Sequence, residues 1–153
     1  MKWTIVGVRV FLGLFLLANG LNMWLHFLPV QVPESQAAND LMQGLVSSGL
    51  FAFVKYIEVA CGLMLVFNRF VPFALIVMMP LTIVIAWVDF VLIGSSNSII
   101  FGALLVIPHV LLMTAYLRPY MPMLAMRSEP GVPSKEELLD AVMKTRSQSA
   151  LRT

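Results

Sequence analysis

Four predominantly apolar runs dominate this chain: residues 4–28, 50–67, 71–93 and 99–117. A helix needs roughly 17–25 apolar residues to cross the hydrocarbon of a bilayer, and each run meets that length. The chain is 59% hydrophobic and 12% charged. A soluble domain carries roughly 25% charged residues, so lipid rather than water must cover most of this surface. The expected fold is therefore an all-α membrane protein, a four-transmembrane-helix bundle over residues 1–117, with a polar tail over residues 118–153. The first run resembles a signal peptide at Lys2 and around Ala18-Asn19-Gly20, but it continues through Trp24, Phe27 and Leu28. That length exceeds a signal-peptide core, so it reads as a retained helix.

Lys and Arg set the expected orientation. Lys2 and Arg9 lie at the N-terminal end, Arg69 in the turn between the second and third runs, and Arg118 and Arg127 after the fourth. The loops over residues 29–49 and 94–98 contain neither. Both termini are thus expected in the cytoplasm, and the protein in a bacterial cytoplasmic (inner) membrane, as a multi-pass protein. In the longer outer loop, Pro33-Glu34 is expected to open a short helix carrying Leu41, Met42 and Leu45, either a lid or a plain connector. In the tail, Ser134-Lys135-Glu136-Glu137 matches a capping box. A short cytoplasmic C-terminal helix should follow, with Leu138, Leu139, Val142 and Met143 as its apolar stripe.

Several function classes drop out. The single cysteine, Cys61, excludes an internal disulfide or CxxC chemistry, and reads as a small buried hydrophobe. The scattered basic residues and net charge of +2 give no nucleic-acid footprint. No phosphate-binding loop, dinucleotide fingerprint, metalloprotease or serine-hydrolase motif is present, and no metal-ligand spacing. Nothing identifies a catalytic residue.

The polar residues inside the spans carry the functional information. Each unpaired charge at mid-bilayer costs about 2.5–3.5 kcal/mol, so Arg9, Lys55, Glu58 and Asp89 must pair, neutralise, snorkel or meet water. At about 1.5 Å per residue, Glu58 falls near the midplane, with Lys55 about 6 Å, Asn22 about 8 Å, Asp89 about 10 Å and His26 about 14 Å outward. Asn19, Asn22 and His26 share one face of the first helix, and Lys55 and Glu58 are spaced to touch on the second. Asn22, His26, Lys55, Glu58 and Asp89 are therefore the candidate ligand-binding or proton-carrying pocket, open to the outer side. The competing role for these groups is to join helices by buried hydrogen bonds.

Arg9 lies about 10 Å toward the cytoplasm and is expected to snorkel to headgroups. His109 follows Pro108, which leaves the Leu104 carbonyl without its helical donor, so His109 is expected to bond locally around that kink. His26 and His109 differ by about 17 Å in depth, which excludes a haem held between them. Gly7, Gly13, Gly20 and Gly62 are expected to allow close helix packing.

The runs Arg9-Val10-Phe11-Leu12-Gly13-Leu14-Phe15, Asn19-Gly20-Leu21-Asn22 and His26-Phe27-Leu28-Pro29 resemble the opening of a DoxX-family protein. The similarity continues through Ser48-Gly49-Leu50, Val54-Lys55, Glu58-Val59, Gly62-Leu63 and Asn68-Arg69-Phe70-Val71-Pro72 to Pro80, and spans about residues 5–117. The resemblance implies a four-helix membrane protein. It also implies a small subunit of a membrane redox complex, as in the thiosulfate:quinone oxidoreductase that gives the family its name, with a quinone as candidate ligand and no covalently bound cofactor. Its partners would be membrane lipid together with a redox protein or a second copy. A non-catalytic adaptor or assembly factor is the alternative, and a small transporter a third. Two positions depart from the family pattern: Met23, where relatives often have Lys, and Asp89, where they often have His. Both lie near the proposed pocket and bear on its ligand rather than on the fold.

Overall fold

The computed structural model describes residues 2–28, 35–124, 134–137, 139, 140 and 143. These are helical or in turns and short connecting segments, with no strand among them. In residues 2–124 the described α-helices are α1 (Lys2–Leu25), α2 (Gln36–Ser47), α3 (Leu50–Val66), α4 (Val71–Trp87), α5 (Ser96–Ala115) and the single turn α6 (Leu117–Tyr120). α4 runs on into a π-helical segment, Val88–Ile93, and α6 into a 3-10 turn, Met121–Leu124.

α1, α3, α4 and α5 form the bundle, each packed on its neighbours in the ring α1–α3–α4–α5–α1. α1 and α3 run antiparallel: Gly13 meets Leu65 and Val66, and seven residues further on Gly20 meets Lys55 and Val59. The turn over residues 67–70 and the short break at Gly94 and Ser95 then reverse the chain twice more. α1, α4 with its π segment, and α5 are each long and apolar enough to cross a membrane. α3 has 17 residues, about 25 Å of helix, and counts as a fourth span only together with α2, from which it is bent by 82°.

The surface confirms the solvent implied by the sequence. Phe11, Leu14, Phe53, Phe73, Ile83, Val84, Ile107, Val110 and Leu111 are exposed, while Arg9, Glu58, Thr82, Ser98 and His109 are buried. A water-soluble bundle has the reverse arrangement. So much contiguous apolar surface is stable only against lipid. Inside, Leu12, Leu16, Cys61, Leu65, Val71, Ala74, Leu75, Met78, Leu105 and Leu112 form one core.

Three of the four expected packing glycines lie on one seam. A methyl at Gly13 would come within 2.8 Å of Val66, at Gly20 within 2.6 Å of Val59, and at Gly62 within 2.8 Å of Leu17. Gly7 differs, with nothing within 4 Å of an added methyl. It lies on an exposed face of α1, turned away from the core on which Ile5 and Val8 pack.

The outer-loop helix begins with Ser35 as its N-cap, so Pro33-Glu34 falls outside the described residues. The Ser35 hydroxyl accepts from the Ala38 N–H at 3.2 Å and donates to the Leu92 carbonyl at 2.8 Å. One side chain thus caps α2 and ties it to the π segment. α2 packs on α3 and on that segment.

The first compact unit runs to Met121, and Pro122–Thr153 forms a second. In the second, the expected capping box is present. The Ser134 N–H donates to Glu137 Oε2 at 2.8 Å, and the Glu137 N–H donates to Ser134 Oγ at 3.2 Å. Residues 135–137 are helical, and Leu139 and Met143 are exposed. Leu138 and Val142 of the expected stripe lie outside the described residues.

Candidate functional site

Glu58 is the most deeply placed of the five candidate residues, at 2% exposure on the face of α3 that also buries Cys61, Gly62 and Leu65. Lys55, one turn earlier, donates from Nζ to Glu58 Oε2 at 2.8 Å. The ammonium also stands 5.3 Å from the centroid of the Phe51 ring. Carboxylate and ring together hold a cation that lipid alone would expel. Glu58 Oε1 makes no hydrogen bond among the described residues. A buried carboxylate with one oxygen in an ion pair and one free can take up a proton or accept a bond from a ligand.

Asn22 and His26 act at the end of α1. Asn22 Oδ1 accepts the Leu28 N–H at 2.6 Å, and its Nδ2 donates to the Leu28 carbonyl at 3.2 Å. This double bond to one residue folds the chain over the helix terminus. His26 takes a left-handed conformation there, φ 50°, with its N–H on the Asn22 carbonyl at 3.0 Å. Its ring is exposed and donates from Nδ1 to the Trp24 carbonyl at 3.2 Å, leaving Nε2 without a partner among the described residues. Close by, the Trp24 and Tyr56 rings lie 5.1 Å apart, an aromatic pair of the kind that marks a membrane interface.

Asp89 occupies the first turn of the π segment. Its carbonyl accepts from the Ser98 hydroxyl at 2.9 Å and from the Gly94 N–H at 3.1 Å. Its Cβ packs against Gly102, where an added methyl would sit 3.1 Å away. The carboxylate makes no hydrogen bond among the described residues. π turns recur at functional sites because the widened turn re-aims side chains. Among the five residues, only Lys55 and Glu58 are joined side chain to side chain, while His26 and Asn22 share a backbone hydrogen bond.

The second polar feature is one that the sequence reading only half located. His109, 3% exposed, bonds through both ring nitrogens to α4: Nδ1 to Thr82 Oγ1 at 2.8 Å, and Nε2 to the Leu75 carbonyl at 3.1 Å. A carbonyl can only accept, so Nε2 carries a proton. In the neutral ring, Nδ1 then accepts from the Thr82 hydroxyl. The partners of His109 are therefore on the neighbouring helix, not around its own kink. Thr82 was not singled out from sequence. The available signal was a hydroxyl two residues after Pro80, facing a helix with Pro108-His109. Thr82 and His109 also line a cavity of about 360 Å³ between α4 and α5, whose other walls include Met79, Ala86, Trp87, Phe90, Val106 and Met113.

Arg9 departs from its expected role. It does not turn outward but lies on the buried stripe of α1 with Leu12, Gly13, Leu16 and Gly20, at 7% exposure.

No curated protein matches the chain, and no solved structure does. The family model for DoxX matches residues 4–91, which takes in α1, α3, α4, the Lys55–Glu58 pair, Asn22, His26 and Asp89. That match covers more than half of the chain, and this integral membrane protein belongs to the DoxX family.

Proposed function

We propose that the protein is a small subunit of a membrane oxidoreductase. In this reading Lys55 and Glu58, with Asn22, His26 and Asp89, line a pocket open to the outer side for a quinone or another small molecule. Glu58 is its proton carrier. The observation behind this is the buried Glu58 carboxylate, with one oxygen in an ion pair and the other unbonded among the described residues. Reduction of a quinone takes up protons, which a buried carboxylate with one unbonded oxygen beside Lys55 can relay. The alternation of Lys and Arg along the chain supports cytoplasmic termini.

A second reading, a non-catalytic adaptor for a partner complex, is favoured by Asn22. Both of its side-chain bonds go to Leu28, a purely structural use.

Double substitution separates the two. Removing one member of a buried pair costs about 3–5 kcal/mol, whereas replacing both by apolar residues is close to neutral. Lys55→Met and Glu58→Leu should each destabilise the bundle, and the double variant should recover. If the pair serves a ligand site, the stable double variant no longer retains quinone in native mass spectrometry after gentle purification and fails to complement a deletion strain. Retention and full complementation by the double variant would leave the pair as packing residues and favour the adaptor.

A further inference from the structure

Arg9 is a buried cation without a described counter-charge. It is more than nine-tenths buried, and its Nε has no hydrogen-bond partner. The guanidinium makes no hydrogen bond or ion pair among the described residues, where the one ion pair is Lys55–Glu58. An uncompensated charge at such a place is costly, so a fold that keeps it must supply an anion.

The distribution of charge says where that anion comes from. Gly13 packs on Leu65 and Val66, so Arg9, one turn nearer the N-terminus, lies at the end of the bundle where α3 turns into α4. Lys2 opens α1 at that end, Arg69 lies in the turn, and Arg118 sits in α6, two residues before Tyr120, whose hydroxyl donates to the Pro72 carbonyl at 3.0 Å. The acidic residues of this unit are Glu34, Asp40, Glu58 and Asp89. Asp40, Glu58 and Asp89 belong to the middle or the opposite end of the bundle, and Glu34 lies outside the described residues. One end thus carries four basic residues and, among the described residues, no acid of its own unit.

The geometry points to a phospholipid site at this end, in which Arg9 binds the phosphate of an anionic glycerophospholipid. A guanidinium grips phosphate through two parallel N–H groups, and the edge formed by Nε and one terminal nitrogen is such a fork. The unpartnered Nε–H is half of that edge. The end of a transmembrane bundle is also where lipid phosphates are densest. This site is independent of the outer pocket and of the quinone reading.

The test is thermal unfolding of the full chain in maltoside micelles, which contain no phosphate. Three additions are compared: phosphatidylglycerol, phosphatidylcholine and inorganic phosphate. Phosphatidylglycerol should raise the wild-type midpoint saturably, by on the order of 5–10 °C at about a hundredfold excess over half-saturation. Phosphatidylcholine should do less and inorganic phosphate nothing. Arg9→Met should abolish the response to phosphatidylglycerol. Arg69→Met should keep it, and the part that depends on Arg9 should survive high salt, because a buried contact is weakly screened. If Arg9→Met does not accumulate, Arg9→Lys replaces it. Loss of the fork should then move half-saturation to higher lipid fraction, and an unchanged midpoint of the titration would overturn the site. An equal response in Arg9→Met, no response in the wild type, or equal effects of the two lipids would also overturn it. A response to inorganic phosphate alone would exclude the lipid. If Arg9→Met is destabilised equally in every medium, the partner of Arg9 lies within the chain and the proposal fails.

Discussion

The α1–α3 seam makes a sharp prediction because one substitution, Gly to Ala, should act with opposite signs at two places. At Gly62 an added Cβ would sit 2.8 Å from Leu17 Cγ, 2.9 Å from the Gly13 carbonyl oxygen and 3.1 Å from the Leu17 nitrogen. Two of these three atoms are backbone, so no rotamer change relieves them. Bringing the 2.9 Å contact out to about 3.4 Å requires the helices to part by about 0.5 Å, and a gap of that size forfeits about a quarter of the dispersion energy along the seam. Overpacking of this kind costs about 1–3 kcal/mol, against which the better helix propensity of Ala returns up to about 1 kcal/mol. Gly62→Ala should therefore be destabilised by about 1–2 kcal/mol. At Gly7 nothing lies within 4 Å, so only the propensity gain remains, and Gly7→Ala should be stabilised by about 0.5–1 kcal/mol. Reversible unfolding in mixed micelles of maltoside and dodecyl sulfate measures both against wild type. Gly13→Ala approaches the same contact from the other helix, 3.0 Å from the Gly62 carbonyl oxygen. Its cost should not add to that of Gly62→Ala, because one separation of the helices relieves both. If Gly62→Ala is as stable as Gly7→Ala, the two helices are not in backbone contact and the packing argument is wrong.

The remaining predictions concern single polar groups. Thr82→Val leaves His109 Nδ1 buried without its partner and should cost about 1–3 kcal/mol, whereas Thr82→Val with His109→Leu should cost less than the two singles summed, read by the same unfolding assay. Asn22→Ala removes both bonds to Leu28 and should speed amide exchange at the last turn of α1 without changing exchange in α4 or α5. Ser134→Ala breaks the capping box and should reduce the helical population of the tail by about 1 kcal/mol, seen as faster exchange at Glu137, with the bundle unaffected. For the orientation, a cysteine at Gln36 should react with an impermeant thiol reagent in intact cells and one at Ser147 should not. The reverse pattern would invert the proposed topology.

How far each of these features could be read without coordinates depends on the range of the interaction behind it. The spans were legible because hydrocarbon imposes a length and a polarity on every residue of a run, independent of its neighbours. The Lys55–Glu58 pair and the Ser134–Glu137 box were legible for a related reason: partners three residues apart on one helix meet by the geometry of that helix alone. His109 marks where this stops. Its kink-forming Pro108 is local and visible, but its bonds to Thr82 and Leu75 span 27 and 34 positions and depend on how α4 and α5 are rotated about their axes.

The stripe on α1 shows the same limit from the opposite side. Arg9, Leu12, Gly13, Leu16 and Gly20 share a face by helical spacing, and the glycines on that face already imply that it packs against another helix. A cation on a packing face does not turn outward into the lipid, and meets a headgroup only where one comes to it at the end of the bundle. The expectation that Arg9 snorkels rested on its depth alone, and the face on which it lies decides the matter. Depth and face are separate coordinates of a residue in a membrane helix. The proposed outer pocket rests on both for Lys55 and Glu58. For Asp89 it rests on a segment whose π turn shifts the face relative to the α-helical count, by an amount that only the fold specifies.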